Sequence, residues 1–208
     1  MRAKLSILAF ASLVAVKSVS AASVIELWDQ VKAPPVPTLS ATTVKADETA
    51  LLLLDIEEAT CNQERRPRCV DAVPAIAAFL RKARSAHLSV FYSNTGGGSR
   101  ETILPPVAPK DDEPIVKASV NKFLGTKLDE YLKAKNIKTV IVCGTTAFGA
   151  VLHTATGAAQ NGYKVVLPVD CVPGGSLYEE QATVWSLING PGSGKVLTAT
   201  TLDAITIE

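Results

Sequence analysis

Two segments combine a strand pattern with residues that could take part in chemistry. Asp55 lies near the end of an apolar run at residues 50–56. Because an acidic side chain is costly to bury, its presence in this run indicates a functional position. Residues 139–155 predict a buried strand, a tight turn at Gly144 and a helix that opens around Phe148. A helix start offers backbone N–H groups and partial positive charge, which suit an anion or a developing oxyanion.

The elements that must position these residues alternate along the chain. Apolar strand patterns at residues 50–56, 88–92, 140–142, 164–169 and 196–200 are separated by helical patterns, among them residues 71–86 and 176–188. This alternation predicts a single doubly wound (Rossmann-like) α/β domain, a three-layer sandwich with a mainly parallel sheet. In such folds ligands bind at the carboxyl edge of the sheet, where Asp55 and Gly144 both fall.

The amino-terminal residues predict export. Arg2 and Lys4 precede an apolar run at residues 5–16, and small residues at 19–21 suit a signal-peptidase cut. We therefore predict a signal peptide at residues 1–21, an N-terminal arm or linker at 22–48 with a short amphipathic helix, and a single α/β domain at 49–208. A retained membrane-proximal anchor is the alternative. The expected location is the periplasm or the medium.

Charge and hydropathy exclude some partners. Removal of residues 1–21 takes away Arg2, Lys4 and Lys17, so the net charge moves from +1 to −2. We predict no nucleic-acid binding, since that requires a concentrated basic face, and no membrane contact after signal removal, since no later run is long enough to cross one.

The four cysteines can form disulfides in an exported protein. Cys61 and Cys69 bracket a short polar loop, so we predict a local disulfide between them. Cys143 and Cys171 follow neighbouring strands, and the sequence leaves open whether they pair or remain buried thiols.

Two glycine-rich segments and two histidines do not predict further sites. The triple glycine at 96–98 has no helix pattern after it, and GPGSGK at 190–195 has the wrong spacing for a phosphate loop. His87 and His153 are isolated and lack a matching carboxylate pattern. We therefore expect neither a metal nor a cofactor.

Three stretches resemble the isochorismatase-like hydrolases: LLLLDIE at 51–57, VKASVNKFLGT at 116–126 and VIVCGTTAFGAVLHTA at 140–155. The resemblance covers roughly residues 48–200, and the order and spacing of these stretches are specific for the superfamily but not for a substrate. The family motif runs Gly, two small residues, Thr, two residues, Cys. Gly144 matches the glycine, Ala147 falls on the threonine and Ala150 on the cysteine, so the resemblance implies a variant that lacks the usual nucleophile.

The resemblance also implies the catalytic residues. In the cysteine-bearing branch a triad of Asp, Lys and Cys attacks an amide, and Asp55 and Lys117 match the first two. A second branch cleaves a vinyl ether and has small residues at both alanine positions. That reaction needs a proton on the enol carbon and then water, so a protonated Asp55 would be the general acid, with Lys117 orienting it or the substrate. We predict a hydrolase for a small carboxylated molecule, acting by cysteine-independent acid catalysis.

The predicted substrate-binding residues surround Asp55 and the turn; they are Glu57, Asn94, Phe123, Thr145, Thr146, Phe148, Ala150 and Arg66. Glu57 stands where the family usually has glutamine, and Phe148 replaces a polar residue, which indicates altered polar contacts and an apolar or stacking pocket. Arg66 has two interpretations, an anion clamp or a solvated loop charge. By the same resemblance, a cis Thr145–Thr146 peptide and a homo-oligomer are expected.

Two alternatives remain open. One is an amidohydrolase that acts on a small amide with water activated by Asp55. The other is a non-catalytic small-molecule-binding pseudoenzyme that kept the pocket after the nucleophile was lost.

Overall fold

A computed structural model describes residues 21–208, so the predicted signal peptide lies almost wholly outside the described residues. The strands are β1 (Thr42–Val44), β2 (Thr49–Leu54), β3 (Ser89–Asn94), β4 (Ile115–Lys117), β5 (Thr139–Gly144), β6 (Lys164–Pro168), β7 (Leu197–Thr200) and β8 (Ile205–Ile207). The helices are α1 (Pro67–Ser85), α2 (Leu128–Ala134), α3 (Leu152–Gln160) and α4 (Leu177–Asn189). Among residues 21–208, no helix is long and apolar enough to cross a membrane.

The main sheet has six strands in the order β4-β3-β2-β5-β6-β7, and all neighbouring strands are parallel. Helices flank this sheet, so the predicted doubly wound α/β fold is confirmed. The chain proceeds from β2 outward to β3 and β4, and then returns to place β5 on the other side of β2. The carboxyl ends of β2 and β5 therefore form the switch point, where open α/β sheets bind ligands.

The central strands form the core because they are apolar along their whole length. All six residues of β2 are buried, as are five of the six in β5. Parallel strands covered by helices on both faces have this continuous apolar pattern, whereas strands with one wet face alternate. The core thus fixes the positions at which the polar residues following β2 and β5 emerge.

The predicted arm at residues 22–48 is divided between two compact units. Residues 36–208 form one compact unit, in which β1 pairs in parallel with β8 to make a small second sheet. Neither of these short strands was predicted. Residues 21–35 belong to a separate unit, where the predicted amphipathic helix is only a single 3-10 turn, Trp28–Gln30. Helix α1 begins at Pro67, four residues before its predicted start, because proline suits the first helical turn.

Both cysteine pairs form disulfides. Cys61 and Cys69 are bonded with their Cα atoms 5.3 Å apart, which confirms the predicted local bridge. Cys143 and Cys171 are bonded with their Cα atoms 5.1 Å apart, so the open question about this pair is resolved. The second bridge joins the end of β5 to the short 3-10 helix Val169–Cys171 that follows β6.

The two bridges should differ in their contribution to stability. The sequence separation is 28 residues for Cys143–Cys171 and 8 for Cys61–Cys69. Because loop-closure entropy grows with loop length, replacing both cysteines by alanine should lower the free energy of unfolding by about 3.6 kcal/mol for the longer loop and about 2.5 kcal/mol for the shorter. Urea denaturation of the two double variants measures this order, and equal losses would contradict it.

Candidate active site

Asp55 lies at the switch point directly after β2, with its backbone fixed on both sides. The N–H of Asp55 donates to the carbonyl oxygen of Ser93 at 3.0 Å, and the carbonyl oxygen of Asp55 accepts from the hydroxyl of Thr60. Asp55 has a φ of 52°, in the left-handed region that aspartate tolerates better than most residues. This conformation ends the strand and turns the carboxylate into the edge of the sheet.

The two carboxylate oxygens of Asp55 have different partners. The Ser93 hydroxyl donates to Oδ1 at 2.7 Å, and the Lys122 ammonium donates to Oδ2 at 2.8 Å. Lys122 Nζ also donates to the carbonyl oxygens of Ala118 at 3.0 Å and Ser119 at 2.6 Å. All three N–H bonds of the ammonium therefore have acceptors, and Lys122 is held in one orientation.

Burial of the ion pair between Asp55 and Lys122 changes the pKa of the carboxyl group. The Lys122 side chain is fully buried, and that of Asp55 is 5% exposed. Loss of hydration raises the pKa of Asp55, and the charge of Glu57 adds to this; Lys122 and the Ser93 hydrogen bond act in the opposite direction. The pKa of Asp55 remains above its ordinary value, so its neutral form is more accessible than that of an exposed aspartate.

The lysine that contacts Asp55 differs from the predicted one. Lys117 is the exposed last residue of β4, and Lys122, five residues later, makes the contact with Asp55. The strand pattern of β4 explains the exposure of Lys117, because its neighbour Val116 is buried and successive side chains of a strand point to opposite faces. Sequence reasoning missed Lys122 because it lies in an irregular segment with no periodic pattern.

Helix α3 positions the segment that carries Lys122. The buried hydroxyl of Thr154 donates to the carbonyl oxygen of Val120 at 3.2 Å and accepts from the N–H of Lys122 at 3.2 Å. On the same helix, a Cβ atom at Gly157 would lie 2.7 Å from the side-chain oxygen of Asn121, so a larger residue there would require the Asn121 side chain to shift. Helix α3 thus holds the segment that carries Lys122 through the two hydrogen bonds of Thr154.

The turn after β5 is packed against the end of β2. Leu54 pairs with Gly144, and the N–H of Thr145 donates to the Leu54 carbonyl oxygen at 2.9 Å. Gly144 has a φ of 132°, and a Cβ atom there would lie 2.1 Å from that oxygen, which explains the motif glycine. The expected cis Thr145–Thr146 peptide is confirmed, and a π-helical turn follows at Ala147–Val151.

The loop after Cys171 supports this turn from the other side. The Pro173 carbonyl oxygen accepts from the N–H of Ala147 at 3.0 Å and from the Thr145 hydroxyl at 3.2 Å. Glu179 Oε2 accepts from the N–H of Gly175 at 2.8 Å and from the Thr146 hydroxyl at 3.4 Å. The disulfide at Cys171 therefore holds a loop that itself holds the turn.

The site contains no thiol. Ala150 is buried within the π-helical turn, and its methyl group has no capacity for nucleophilic attack. The chain has four cysteines, and all four are in disulfides. No other cysteine can therefore replace a nucleophile as long as the bridges are intact.

Arg66 lies close enough to affect the electrostatics of the site. Its Nη1 donates to the carbonyl oxygen of Thr60 at 2.8 Å. The hydroxyl of the same Thr60 donates to the backbone carbonyl oxygen of Asp55. Burial lowers the pKa of Arg66, while the negative charges of Glu179 and Asp55 oppose this effect. Within residues 21–208 its guanidinium makes no other hydrogen bond, so part of its donor capacity remains for an anion.

Glu57 and Asn94 hold the loop after β3. Glu57 is fully buried and accepts four hydrogen bonds; the donors are Thr95 N and Oγ1, Asn94 Nδ2 and Thr102 Oγ1. Burial acts to raise the pKa of Glu57, but these hydrogen bonds together outweigh it and the pKa lies below its ordinary value. Asn94 Nδ2 also donates to Ser99, whereas Asn94 Oδ1 is buried with no partner among the described residues.

The predicted aromatic contacts differ in position. Phe123 stacks on Tyr163 with ring centroids 5.9 Å apart, so its ring is committed to the packing of the fold. Phe148 is 53% exposed on the π-helical turn, where it remains available to a ligand. The structure thus groups Thr145, Thr146, Phe148 and Ala150 on one turn, beside Asp55. No cluster of three or more potential metal ligands occurs within residues 21–208.

Comparisons with known proteins identify a family to which this sequence is similar. A family model for the isochorismatase domain matches residues 49–201. N-carbamoylsarcosine amidase from an Arthrobacter species is 38% identical over 67 residues, which cover 32% of this chain and only 25% of that protein. A secreted isochorismatase effector from Verticillium dahliae is 25% identical over 142 residues, 62% of this chain and 75% of that protein.

A solved structure shows the same fold. An isochorismatase-like hydrolase from Alkaliphilus metalliredigens superposes with a TM-score of 0.68 at 22% identity, covering 75% of this chain and 93% of that one.

The two lysines should differ sharply when replaced by methionine. Lys122→Met leaves Asp55 buried without its partner, so the free energy of unfolding should fall by about 3–5 kcal/mol at neutral pH. Lys117→Met changes an exposed residue and should stay within about 0.5 kcal/mol of wild type. The Lys122→Met deficit should narrow at acidic pH, because Asp55 then takes up a proton. Urea denaturation at both pH values measures this, and equal losses would refute the assignment of Lys122.

Glu57→Gln tests whether Glu57 holds the loop. An amide replaces one acceptor oxygen by a donor, so at least one of the four donors loses its partner at a cost of about 1–3 kcal/mol. We expect faster hydrogen exchange across residues 95–103. Glu58→Gln is the matched control, since Glu58 is the exposed neighbour. Unchanged exchange in Glu57→Gln would show that the loop is held by other contacts.

Proposed function

This chain belongs to the isochorismatase family, and from that premise we propose that it is a hydrolase that cleaves a small carboxylated molecule without a cysteine nucleophile. The observation that carries the proposal is that every cysteine is in a disulfide while the acidic residue of the family site, Asp55, is retained and buried beside Lys122. The chemistry must then depend on proton transfer by a carboxyl group and on water.

Acid catalysis of vinyl ether hydrolysis fits these groups. A neutral Asp55 gives its proton to the terminal carbon of the enol ether, and the electron pair of the double bond forms the new C–H bond. Water then adds to the resulting oxocarbenium ion, and the hemiketal collapses to an alcohol and a keto acid while Asp55 regains a proton. The raised pKa of Asp55 supports this role, because a general acid works best when its pKa approaches the working pH.

Arg66 is the group that would recognise the substrate carboxylate. Its guanidinium is half-buried and lies near Asp55, and it has donor capacity beyond its bond to Thr60. A guanidinium binds carboxylates through paired N–H groups, which orients the substrate as well as attracting it. The exposed ring of Phe148 would cover an apolar part of the same molecule.

Water-based amide hydrolysis is the second candidate, and the match to N-carbamoylsarcosine amidase favours it. In that reaction Asp55 would act as a base and accept a proton from water. The two mechanisms have opposite pH dependence. Acid catalysis is lost as the pH rises through the pKa of Asp55, whereas base catalysis is lost as the pH falls through it.

Export is proposed on independent grounds. Disulfides form and persist mainly in oxidising compartments, and one relative is a secreted effector. The periplasm and the medium both satisfy this condition. Assembly into a homo-oligomer also remains a proposal, based on the family alone.

Turnover of a panel of enol ethers of keto acids and of small amides tests the function. Asp55→Asn keeps the shape of the side chain but cannot carry an acidic proton, so turnover should fall by about 100-fold or more. Asp129→Asn is the control, since Asp129 is a carboxylate on α2 that contacts Lys133 and Tyr163. Iodoacetamide without a reductant should leave turnover unchanged.

The outcomes separate the candidates. Loss of enol ether cleavage in Asp55→Asn supports acid catalysis, and loss of amide cleavage supports the amidohydrolase. Inactivation by iodoacetamide would contradict the cysteine-independent mechanism. Binding of panel members by calorimetry without any turnover would identify a small-molecule-binding protein that has lost catalysis.

A further inference from the structure

The buried carboxyl group of Asp55 offers two unequal places for a proton. Oδ2 faces the Lys122 ammonium, which can only donate and whose three N–H bonds already have acceptors. A proton on Oδ2 would weaken this charge-assisted bond and place an O–H group beside a cation. Oδ1 faces the hydroxyl of Ser93 at 2.7 Å, and a hydroxyl can either donate or accept.

We propose that Ser93 is a positioning residue for the reaction of this site: its hydroxyl directs the exchangeable proton of Asp55 to Oδ1 and stabilises that oxygen once the proton has left. This inference rests on the proposed function, because it assigns a route to the proton that the acid mechanism requires. Ser93 itself gains and loses no proton.

The proton balance is simple. In the neutral state the proton is on Oδ1 and the Ser93 hydroxyl either accepts it in a hydrogen bond or donates to the second lone pair of Oδ1. When the Oδ1–H bond breaks and the substrate C–H bond forms, Oδ1 becomes negative and Ser93 donates to it. Water that adds to the oxocarbenium ion returns one proton to Oδ1, and the cycle closes.

The backbone fixes Ser93 in this role. Ser93 pairs with Leu54 across β2 and β3, and its carbonyl oxygen accepts from the N–H of Asp55 at 3.0 Å. Two hydrogen bonds therefore join the same two residues, one through the backbone and one through the side chains. Ser93 is only 1% exposed, so its hydroxyl is buried together with the carboxylate that it contacts.

The other charged groups around Asp55 cannot take this role. Lys122 has no acceptor, and Arg66 lacks one as well. Glu57 raises the pKa of Asp55 through its charge, but its carboxylate is occupied by the four donors of the loop after β3. Among the described side chains that are hydrogen-bonded to the Asp55 carboxylate, Ser93 is the one that can reverse the direction of its hydrogen bond.

Ser93→Ala tests the proposal by two readouts. The first readout is the pH profile of kcat. In this variant the Asp55 carboxylate loses a hydrogen-bond donor, so the pKa of Asp55 should rise. The decrease in kcat at high pH should then occur at a higher pH than in the wild type. Loss of a hydrogen bond to a charged group should also lower kcat by roughly 10- to 100-fold, with KM nearly unchanged.

The second readout needs no substrate. Infrared or carbon-13 NMR titration of labelled aspartate measures the Asp55 carboxyl directly, with its signal identified by its absence in Asp55→Asn. Ser93→Thr keeps the hydroxyl and should restore the wild-type titration. Ser93→Val matches threonine in shape without the hydroxyl, so the Thr and Val pair decides the question if Ser93→Ala folds poorly.

An unchanged carboxyl titration in both Ser93→Ala and Ser93→Val, with only a loss of stability, would overturn the proposal and leave Ser93 as a packing residue. A wild-type protein that cleaves no panel member would count against the proposed function instead. In that case the carboxyl titration still decides the inference about Ser93, since an upward shift supports it and no shift refutes it.

Discussion

The buried ion pair between Asp55 and Lys122 is the interaction on which the site depends. Removing two charges from water costs several kcal/mol for each ion, and the attraction between them offsets this only if their remaining hydrogen-bonding capacity is also satisfied. Here Ser93 satisfies the second carboxylate oxygen, and two backbone carbonyl groups complete the ammonium. The parallel sheet supplies the first partner and the irregular segment before α2 supplies the others.

The same constraint explains why several distant elements converge on one edge. Helix α3 holds the segment of Lys122 through Thr154, and its first turn follows the π-helical turn that lies against β2. The disulfide between Cys143 and Cys171 anchors the loop whose Pro173 carbonyl oxygen supports that turn. Displacement of any of these elements would disturb the ion pair between Asp55 and Lys122, whose buried charges could not be stabilised by solvent instead.

Sequence reasoning predicted the parts of this arrangement that follow from periodicity. The apolar runs of β2 and β5 predicted a parallel sheet, and the positions of Asp55 and Gly144 followed from the ends of those runs. Lys122 could not be found in this way, because whether a lysine in an irregular segment is buried depends on which carbonyl groups surround it. Glu57 was expected to contact substrate, yet its four donors come from a loop whose fold no local pattern reveals.

The absence of a thiol changes what the ion pair is suited to do. A lysine beside a carboxylate favours the charged carboxylate, which suits a base, whereas burial favours the neutral acid. In this site burial is the largest effect on Asp55, and its pKa lies above the ordinary value despite Lys122 and Ser93. Its neutral form is therefore more accessible than that of an exposed aspartate, while Lys122 and Ser93 favour its charged form. A group in that condition can give up a proton and recover it, which is the property that catalysis by a carboxyl group and water requires.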